Sequence, residues 1–217
     1  MIKKFIKKIL RLLRLYPLIS FCLYFFKKSY LYQKGWFHSF QKDRPISLKG
    51  EPIPWLNYTV MDFLQDRINM DMSVFEYGSG MSTIWWAAHT KEVFSVEHDK
   101  SWYDEIKSKM PDNVNLYHEA LETNGSYTRK AAKWEKKFDI IIIDGRERVN
   151  CSINAINALK PEGVIIWDDT DRTSYKKGYD FLLENGFKRI EFIGMKPLGL
   201  TPACTSIFYR SNNCLKI

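Results

Sequence analysis

A short apolar run, a glycine turn and a helical pattern place the strongest constraint on this chain. Residues 73–82 have the sequence S-V-F-E-Y-G-S-G-M-S. Val74 and Phe75 suit a buried strand. Gly78 and Gly80 permit a tight turn in which a ligand can approach the main chain. The helix predicted next would direct its free N–H groups at a carboxylate or phosphate. Strand, turn and helix in this order are typical of a nucleotide-type binding unit.

Two interpretations of the turn compete. A dinucleotide fingerprint, G-x-G-x-x-G, needs glycine where Thr83 stands, so a nicotinamide-linked oxidoreductase is the weaker alternative. The pattern E-x-G-x-G-x-G, with Ser82 in place of the third glycine, resembles motif I of the class I S-adenosylmethionine (SAM) dependent methyltransferases. The resemblance implies that SAM is bound by the turn and its flanks, namely Glu76, Gly78, Ser79, Gly80, Ser82 and Thr83.

Strand and helix patterns alternate after residue 57, where Asn57 is a plausible helix cap. After the first strand, further strands are predicted at 92–96, 113–118, 138–143, 163–167, 188–193 and 205–209. The last two are joined by a loop too short for a crossover helix and should be antiparallel. We therefore predict an α/β three-layer sandwich with a Rossmann-like, mostly parallel seven-stranded sheet and one antiparallel strand near the C-terminus. The resemblance to class I methyltransferases extends over residues 57–210 and implies the same fold.

Each predicted parallel strand ends on an acid, and ligands bind beyond the carboxyl ends of such strands. These acids are Glu76, Glu97, Glu119, Asp144 and the pair Asp168–Asp169. Glu97 lies 19 residues after Gly78, where an acid can accept the ribose hydroxyls. The resemblance implies the same role for Glu97 and places His98, Glu119 and Ala120 near the adenine. Asp99 could instead cap the helix that begins at Lys100.

The catalytic candidates are Asp144 and Asp168. Asp144 follows the most apolar strand, 138–143, so its carboxylate should be rigid and partly desolvated. Asp144 is also expected to contact the cofactor. Either acid could serve as general base for transfer of the SAM methyl group. Arg146 and Arg148 could bind an acidic group of the substrate, or could belong to a solvated loop.

The acids after the fourth and fifth strands also resemble those of catechol-type O-methyltransferases, which hold magnesium there. The resemblance implies Mg²⁺ bound by Asp144, Asp168 and Asp169, since carboxylate oxygens suit this ion. The sequence departs from that family at Asp169, where asparagine is expected, and at Glu147, where lysine is expected. If no metal binds, the general-base role remains.

The amino-methylating D/N-P-P-Y/F motif is missing, because Asp144 is followed by Gly145, Arg146 and Glu147. This disfavours a DNA N-methyltransferase, and we expect O-methylation. A small-molecule, glycan or lipid-linked acceptor near the membrane would fit the basic N-terminal segment. A membrane-attached scaffold that kept the fold without activity is the non-enzymatic alternative.

The N-terminal segment is strongly basic. The net charge of +8 equals the eight lysines and arginines of residues 1–28, a stretch without acids. Residues 2–15 form an amphipathic helical pattern, so residues 1–26 are expected to contact the inner face of the membrane peripherally. Packing on the domain is the main alternative; a true span or signal peptide fits less well.

Three segments follow from these patterns: a helical extension (1–32), an aromatic connection (33–56) and a methyltransferase domain (57–217). Pro45, Gly50, Pro52 and Pro54 are expected to prevent a regular helix in the connection, which could form a substrate lid or pack at an edge. Four cysteines, Cys22, Cys151, Cys204 and Cys214, show no metal-binding spacing and favour a reducing cytoplasm.

Overall fold

The computed structural model describes residues 2–13, 15 and 29–217. The α-helices are α1 (Ile2–Leu12), α2 (Tyr30–Gln33), α3 (Trp36–Lys42), α4 (Tyr58–Gln65), α5 (Met81–His89), α6 (Lys100–Lys107), α7 (Arg148–Ala155) and α8 (Lys176–Glu184). The strands are β1 (Ser73–Tyr77), β2 (Glu92–Glu97), β3 (Val114–His118), β4 (Phe138–Ile143), β5 (Leu159–Asp168), β6 (Lys188–Met195) and β7 (Pro202–Tyr209). Short 3₁₀ turns lie at Ala131–Lys133, Ile156–Ala158 and Thr173–Tyr175.

Within the described residues the strands form one seven-stranded sheet in the order β3-β2-β1-β4-β5-β7-β6. Strand β7 pairs antiparallel with both of its neighbours, and the other pairs are parallel. The Rossmann-like, mostly parallel sheet with one antiparallel strand is therefore confirmed. The chain order reverses between β1 and β4, and open α/β sheets bind ligands at such a switch point.

The helices cover both faces of the sheet because alternate strand residues point to opposite sides. Phe75 and Tyr77 of β1 belong to the cluster that packs against α7 and α8. Val74 belongs to the cluster on the other face, which includes side chains of α4 and α5. Two buried faces explain the continuous apolar run of β4. Cys151 and Cys204 are buried in this core as free thiols.

Strand register brings the predicted site residues to one edge. Tyr77 pairs with Ile143, and Ile143 pairs with Trp167, so β1, β4 and β5 end at the same level. The residues that follow these three positions are Gly78, Asp144 and Asp168.

The aromatic connection differs from the prediction, because Trp36–Lys42 is an α-helix. Pro45, Gly50, Pro52 and Pro54 all lie after this helix, so they prevent a regular helix only in the second half of the connection. The Trp36 indole Nε1–H donates to the Gly199 carbonyl at 2.9 Å, which ties α3 to the β6–β7 connection. Asn57 caps α4 as expected, since its side chain accepts from the Val60 N–H.

The helical prediction for residues 2–15 is met by α1 over Ile2–Leu12. Much of the segment predicted to contact membrane (1–26), together with Cys22, lies outside the described residues. Within the described ranges, no helix is both long enough and apolar enough to cross a membrane.

Candidate active site

A cavity of about 740 Å³ opens at the carboxyl end of the sheet, beside β1 and β4, where the strand order reverses. Its volume falls within the roughly 300–1,000 Å³ range of small-molecule sites. The glycine turn lines one side, and the ends of β4 and β5 line the other. The connection before α4 completes the wall with Asp43, Arg44, Pro45 and Trp55.

The glycine turn needs glycine at Gly78 for two reasons. Its φ of +89° is a left-handed conformation that side chains rarely adopt. A Cβ atom at this position would also lie 2.9 Å from the Gly145 Cα. The turn after β1 and the turn after β4 therefore touch through main chain, which leaves room for a ligand above them.

Glu76 and Thr83 lie beneath the turn and do not line the cavity. The Thr83 hydroxyl donates to Glu76 Oε2 at 2.5 Å, and the Gly80 N–H donates to Thr83 Oγ1 at 2.9 Å. Burial raises the pKa of Glu76 to about 7. These two residues hold the shape of the turn, whereas Gly78, Ser79, Gly80 and Ser82 face the cavity.

Glu97 lines the cavity with a carboxylate that the main chain fixes in place. Its Oε1 accepts from the N–H groups of His98 and Asp99 at 2.8 and 2.9 Å. Its Oε2 accepts from the Ser79 N–H at 3.0 Å. An ionised carboxylate offers about four lone-pair positions. One position on Oε2 remains for a ligand hydroxyl, as the predicted ribose contact requires.

Three further residues border the glycine turn. His98 lines the cavity, with its ring Nδ1 2.8 Å from Glu97 Oε1. Asp99 caps α6, because its carboxylate accepts from the Ser101 and Trp102 N–H groups. The Trp102 indole Nε1–H donates to the Ser79 carbonyl at 2.8 Å. Trp102 also lines the cavity and was missing from the sequence-based site.

Glu119 and Ala120 are predicted to lie near the adenine, but they are not part of the cavity lining. Lys130 donates to Glu119 Oε1 at 2.7 Å and holds this carboxylate against the loop that follows β3. The sequence could not show this pairing, because Lys130 lies in a polar stretch with no periodic pattern.

Asp144 directly follows Ile143, the last residue of β4. Its N–H donates to the Tyr77 carbonyl at 3.2 Å. Arg148 donates to Asp144 Oδ1 at 2.9 Å, and no donor among the described residues reaches Oδ2. Burial and the neighbouring Asp168 carboxylate raise the pKa of Asp144 well above its ordinary value. The side chain is 23% exposed and lines the cavity, so Oδ2 can accept a proton from a ligand.

The metal prediction does not fit the three-acid cluster of Asp144, Asp168 and Asp169. Lys196 donates to both Asp168 and Asp169, the latter at 2.6 Å. Asp168 Oδ1 also accepts from the Thr205 hydroxyl at 2.6 Å. Among the described residues, no group of three or more acidic, histidine or cysteine side chains is arranged to hold a metal ion. All of these carboxylate oxygens except Asp144 Oδ2 already accept from a cationic or hydroxyl side chain, so the Mg²⁺ prediction is not supported.

The sequence of this chain was compared with protein families and with curated proteins. A family described as a methyltransferase domain matches residues 75–170. No curated protein matches the chain in sequence.

Solved structures share the fold. Precorrin-6y C5,15-methyltransferase from Geobacter metallireducens has a TM-score of 0.54 at 16% identity, covering 70% of this chain and 87% of that one. An rRNA methylase from Streptococcus thermophilus has a TM-score of 0.52 at 12% identity, covering 70% and 93%. A methyltransferase candidate from Streptococcus mutans, solved with S-adenosylhomocysteine (SAH), has a TM-score of 0.50 at 11% identity, covering 69% and 95%.

At these identities the solved structures show the fold alone, and the family match identifies a methyltransferase domain within the chain. The matched residues run from β1 through the glycine turn and Glu97 to the end of β5. The nicotinamide-linked alternative is thereby set aside. Residues 75–170 are therefore a methyltransferase domain, in a chain with the Rossmann-like α/β fold of the solved methyltransferases.

Proposed function

We propose that the protein transfers the SAM methyl group to a hydroxyl of a small-molecule, glycan or lipid-linked acceptor at the inner face of the membrane. The observation that carries the proposal is the unpaired Oδ2 of Asp144, in the same cavity as the glycine turn. An alcohol must lose its proton as it attacks a methyl group, and a carboxylate of raised pKa is suited to take that proton.

The cofactor would lie along the turn side of the cavity. In this proposal the main chain of Gly78, Ser79, Gly80 and Ser82 holds the methionine part, and Glu97 accepts the ribose hydroxyls. His98 and Trp102 border the remaining space, which suits the adenine. The acceptor oxygen then approaches the methyl group from the Asp144 side. The O–CH₃ bond forms as the S–CH₃ bond breaks, SAH leaves uncharged at sulfur, and the hydroxyl proton passes to Asp144.

Asp144 suits the role of base better than Asp168. The Asp168 side chain is 2% exposed, and its two oxygens accept from Lys196 and Thr205. Asp144 is more exposed and keeps one oxygen without a donor.

The outer wall of the cavity favours an acceptor that contains a sugar and an anionic group. Trp55 is 52% exposed and lines the cavity, so its indole face offers a platform for a sugar ring. Arg44 and Arg146 line the same space, and their guanidinium groups form no ion pair with any part of the chain that the structure describes. Unpaired guanidinium groups are suited to bind carboxylate or phosphate.

A nucleic-acid acceptor is not expected from the charge of the cavity. Its lining holds six carboxylates, Asp43, Glu97, Asp99, Asp144, Asp168 and Asp169, against four cations, Arg44, Arg146, Arg148 and Lys196. A nucleic-acid site would instead concentrate positive charge along the cleft.

Helix α1 supports the membrane part of the proposal. Its apolar side chains are exposed, with Phe5 at 66% and Leu12 at 83%. Lys4 and Lys8 are exposed as well. A helix that packed on the domain would bury its apolar side chains, whereas a basic amphipathic helix can insert them into an anionic bilayer surface.

The acceptor is tested by transfer of radiolabelled methyl groups from SAM to neutral and acidic sugars, offered free, nucleotide-linked and polyprenyl-diphosphate-linked. Product is expected with acidic or phosphate-linked sugars, and Arg146→Gln should raise their KM. Arg129→Gln, an exposed arginine away from the cavity lining, is the matched control. Methylation of RNA alone, or of no sugar in the panel, would contradict the proposed acceptor class.

The membrane part is tested separately by flotation with vesicles of phosphatidylglycerol or phosphatidylcholine. The wild type should float with the anionic vesicles, and the double variant Phe5→Glu, Leu12→Glu should not. A wild type that remains at the bottom of the gradient with both lipids would remove the membrane from the proposal.

A further inference from the structure

The connection between β6 and β7 carries Lys196, whose ammonium group lies at the ends of β4 and β5. Lys196 follows Met195, the last residue of β6, and its side chain is 13% exposed. Its Nζ contacts one oxygen of Asp168 and, at 2.6 Å, one oxygen of Asp169. A single cation thus bridges the two acids that follow β5.

The remaining charges of the three-acid cluster are also neutralised by side chains. Arg148 lies 2.9 Å from Asp144 Oδ1 and 3.5 Å from Asp169 Oδ2. Arg172 lies 2.7 Å from Asp169 Oδ2. Three carboxylates therefore meet three cations, which leaves no excess negative charge to attract a divalent ion.

Lys196 retains hydrogen-bonding capacity toward the cavity. A lysine ammonium has three N–H donors. Two of them serve Asp168 and Asp169, and Lys196 lines the cavity that contains Asp144. Among the described residues, Lys196 thus keeps one N–H donor, and Asp144 Oδ2 is the carboxylate oxygen of this cluster that accepts from no donor.

We infer that Lys196 takes the place of a divalent metal, so that its third N–H holds the acceptor oxygen while Asp144 removes the proton. The inference rests on the proposed function. An ammonium beside the oxygen favours the alkoxide that develops as the proton leaves, which is the effect a metal would have. The methyl group then passes from sulfur to this oxygen, and no external metal or oxidant takes part.

The surroundings keep Lys196 charged. Although burial disfavours the ammonium form, Asp168 and Asp169 raise the pKa of Lys196 above its ordinary value. At neutral pH the side chain is therefore a donor and cannot act as the base, which leaves that role to Asp144.

The first test is Mn²⁺ binding to the full-length protein, followed by electron paramagnetic resonance. Wild type should bind Mn²⁺ weakly. Lys196→Ala frees the carboxylates of Asp168 and Asp169, so we expect one Mn²⁺ bound at least about tenfold more tightly. Lys160→Ala is the matched control, because Lys160 pairs with Asp139 at 2.8 Å at the other end of the sheet.

Further variants separate the possible outcomes. Adding Asp168→Asn to Lys196→Ala should abolish the gained Mn²⁺ site, and Lys196→Arg should not create one. Tight Mn²⁺ binding by wild type, lost in Asp168→Asn, would overturn the inference, as would a Lys196→Ala protein that gains no site. SAH binding is measured on the same samples, and its absence from wild type would point to failure of the proposed function instead.

The role toward the acceptor is tested in the methyl-transfer assay. Lys196→Ala should lower kcat about 100-fold at unchanged KM for SAM, with partial recovery in Lys196→Arg. Wild-type transfer should be unaffected by EDTA. Equal rates for wild type and Lys196→Ala would show that Lys196 acts only in structure.

Discussion

The two halves of the cavity are built in opposite ways. The proposed cofactor half, at the ends of β1 and β2, offers main-chain groups and one carboxylate, Glu97, that three N–H groups hold. The acceptor half, at the ends of β4 to β7, is an ionic cluster of three acids with Arg148, Arg172 and Lys196. The first half can fix a ligand with little charge rearrangement. The second can hold and move a proton.

The largest effect should come from Asp144→Asn, which separates the two halves. Loss of the general base should lower methyl transfer about 1,000-fold. SAH affinity should remain within about threefold, because the cofactor half keeps its contacts. Radiolabel transfer and calorimetric titration with SAH provide the two measurements.

Asp180→Asn is the control for this variant, since Asp180 pairs with Lys176 on the exposed surface of α8. It should leave both values unchanged. If Asp144→Asn kept full activity, the base would have to be sought elsewhere in the three-acid cluster.

The cofactor half is broken by Glu97→Ala. This variant removes the acceptor for the N–H groups of Ser79, His98 and Asp99, together with the proposed ribose contact. We expect SAH affinity to fall about 100-fold, or about 2.7 kcal/mol. Glu97→Gln, which keeps one oxygen, should show a smaller loss in the same titration.

Glu105→Ala is the matched control, because Glu105 is an exposed residue of α6 that pairs with Lys109 just after the helix. Unchanged SAH affinity in Glu97→Ala would mean that the cofactor does not use the end of β2.

The buried acid of the cofactor half should make stability depend on pH. Burial raises the pKa of Glu76 from 4.5 to about 7, so the folded state binds this proton more tightly than the unfolded chain. The free energy of unfolding should therefore decrease as pH rises through this window, by about 2.5 kcal/mol between pH 5 and 8. Glu76→Gln should lack this contribution in urea denaturation at the two pH values.

Glu92→Gln, at the opposite end of the sheet, is the comparison. Burial opposes ionisation of Glu92, but the Ser73 hydroxyl and Lys137 hold the pKa of this carboxyl below its ordinary value. Its effect should be the same at pH 5 and pH 8, since both lie above that titration. Identical pH slopes for wild type and Glu76→Gln would show that Glu76 ionises in the folded protein like an exposed acid.

The difference between the halves also explains what the sequence could predict. The cofactor half lies in two short segments, 76–83 and 97–102, so local patterns identified the glycine turn, Glu97 and the Asp99 cap. The alternation of strands and helices likewise predicted the sheet and its reversed strand. Helix α3 was not predicted, because prolines that begin only at Pro45 were taken to exclude a helix from all of residues 33–56.

The acceptor half could be predicted only in part. The acids at strand ends were visible, but their partners were not, because Lys196 lies 28 residues from Asp168 and carries no motif. Strand pairing brings them together: Asp168 pairs with Thr205 of β7, which in turn pairs with β6. The metal prediction failed for this reason, since it counted carboxylates without the cations that the register places among them.

The smallest effects are expected from substituting two tryptophans, one for each half of the cavity. Trp102 donates its indole N–H to the Ser79 carbonyl at 2.8 Å, and Trp36 donates to the Gly199 carbonyl at 2.9 Å. Both side chains are partly buried. Phenylalanine removes the donor in each case, so each variant should lose about 1 kcal/mol of unfolding free energy.

Only Trp102→Phe should also lower the affinity for SAH, by about fivefold, because the hydrogen bond that it removes orients the glycine turn. Trp36→Phe should leave SAH affinity unchanged and instead raise the KM of the acceptor, since α3 then loses its tie to the β6–β7 connection that carries Lys196. Chemical denaturation, SAH titration and the transfer assay separate these effects. An equal loss of SAH affinity in both variants would mean that the two halves are coupled through the cavity wall. The division into a main-chain half and an ionic half would then not hold for cofactor binding.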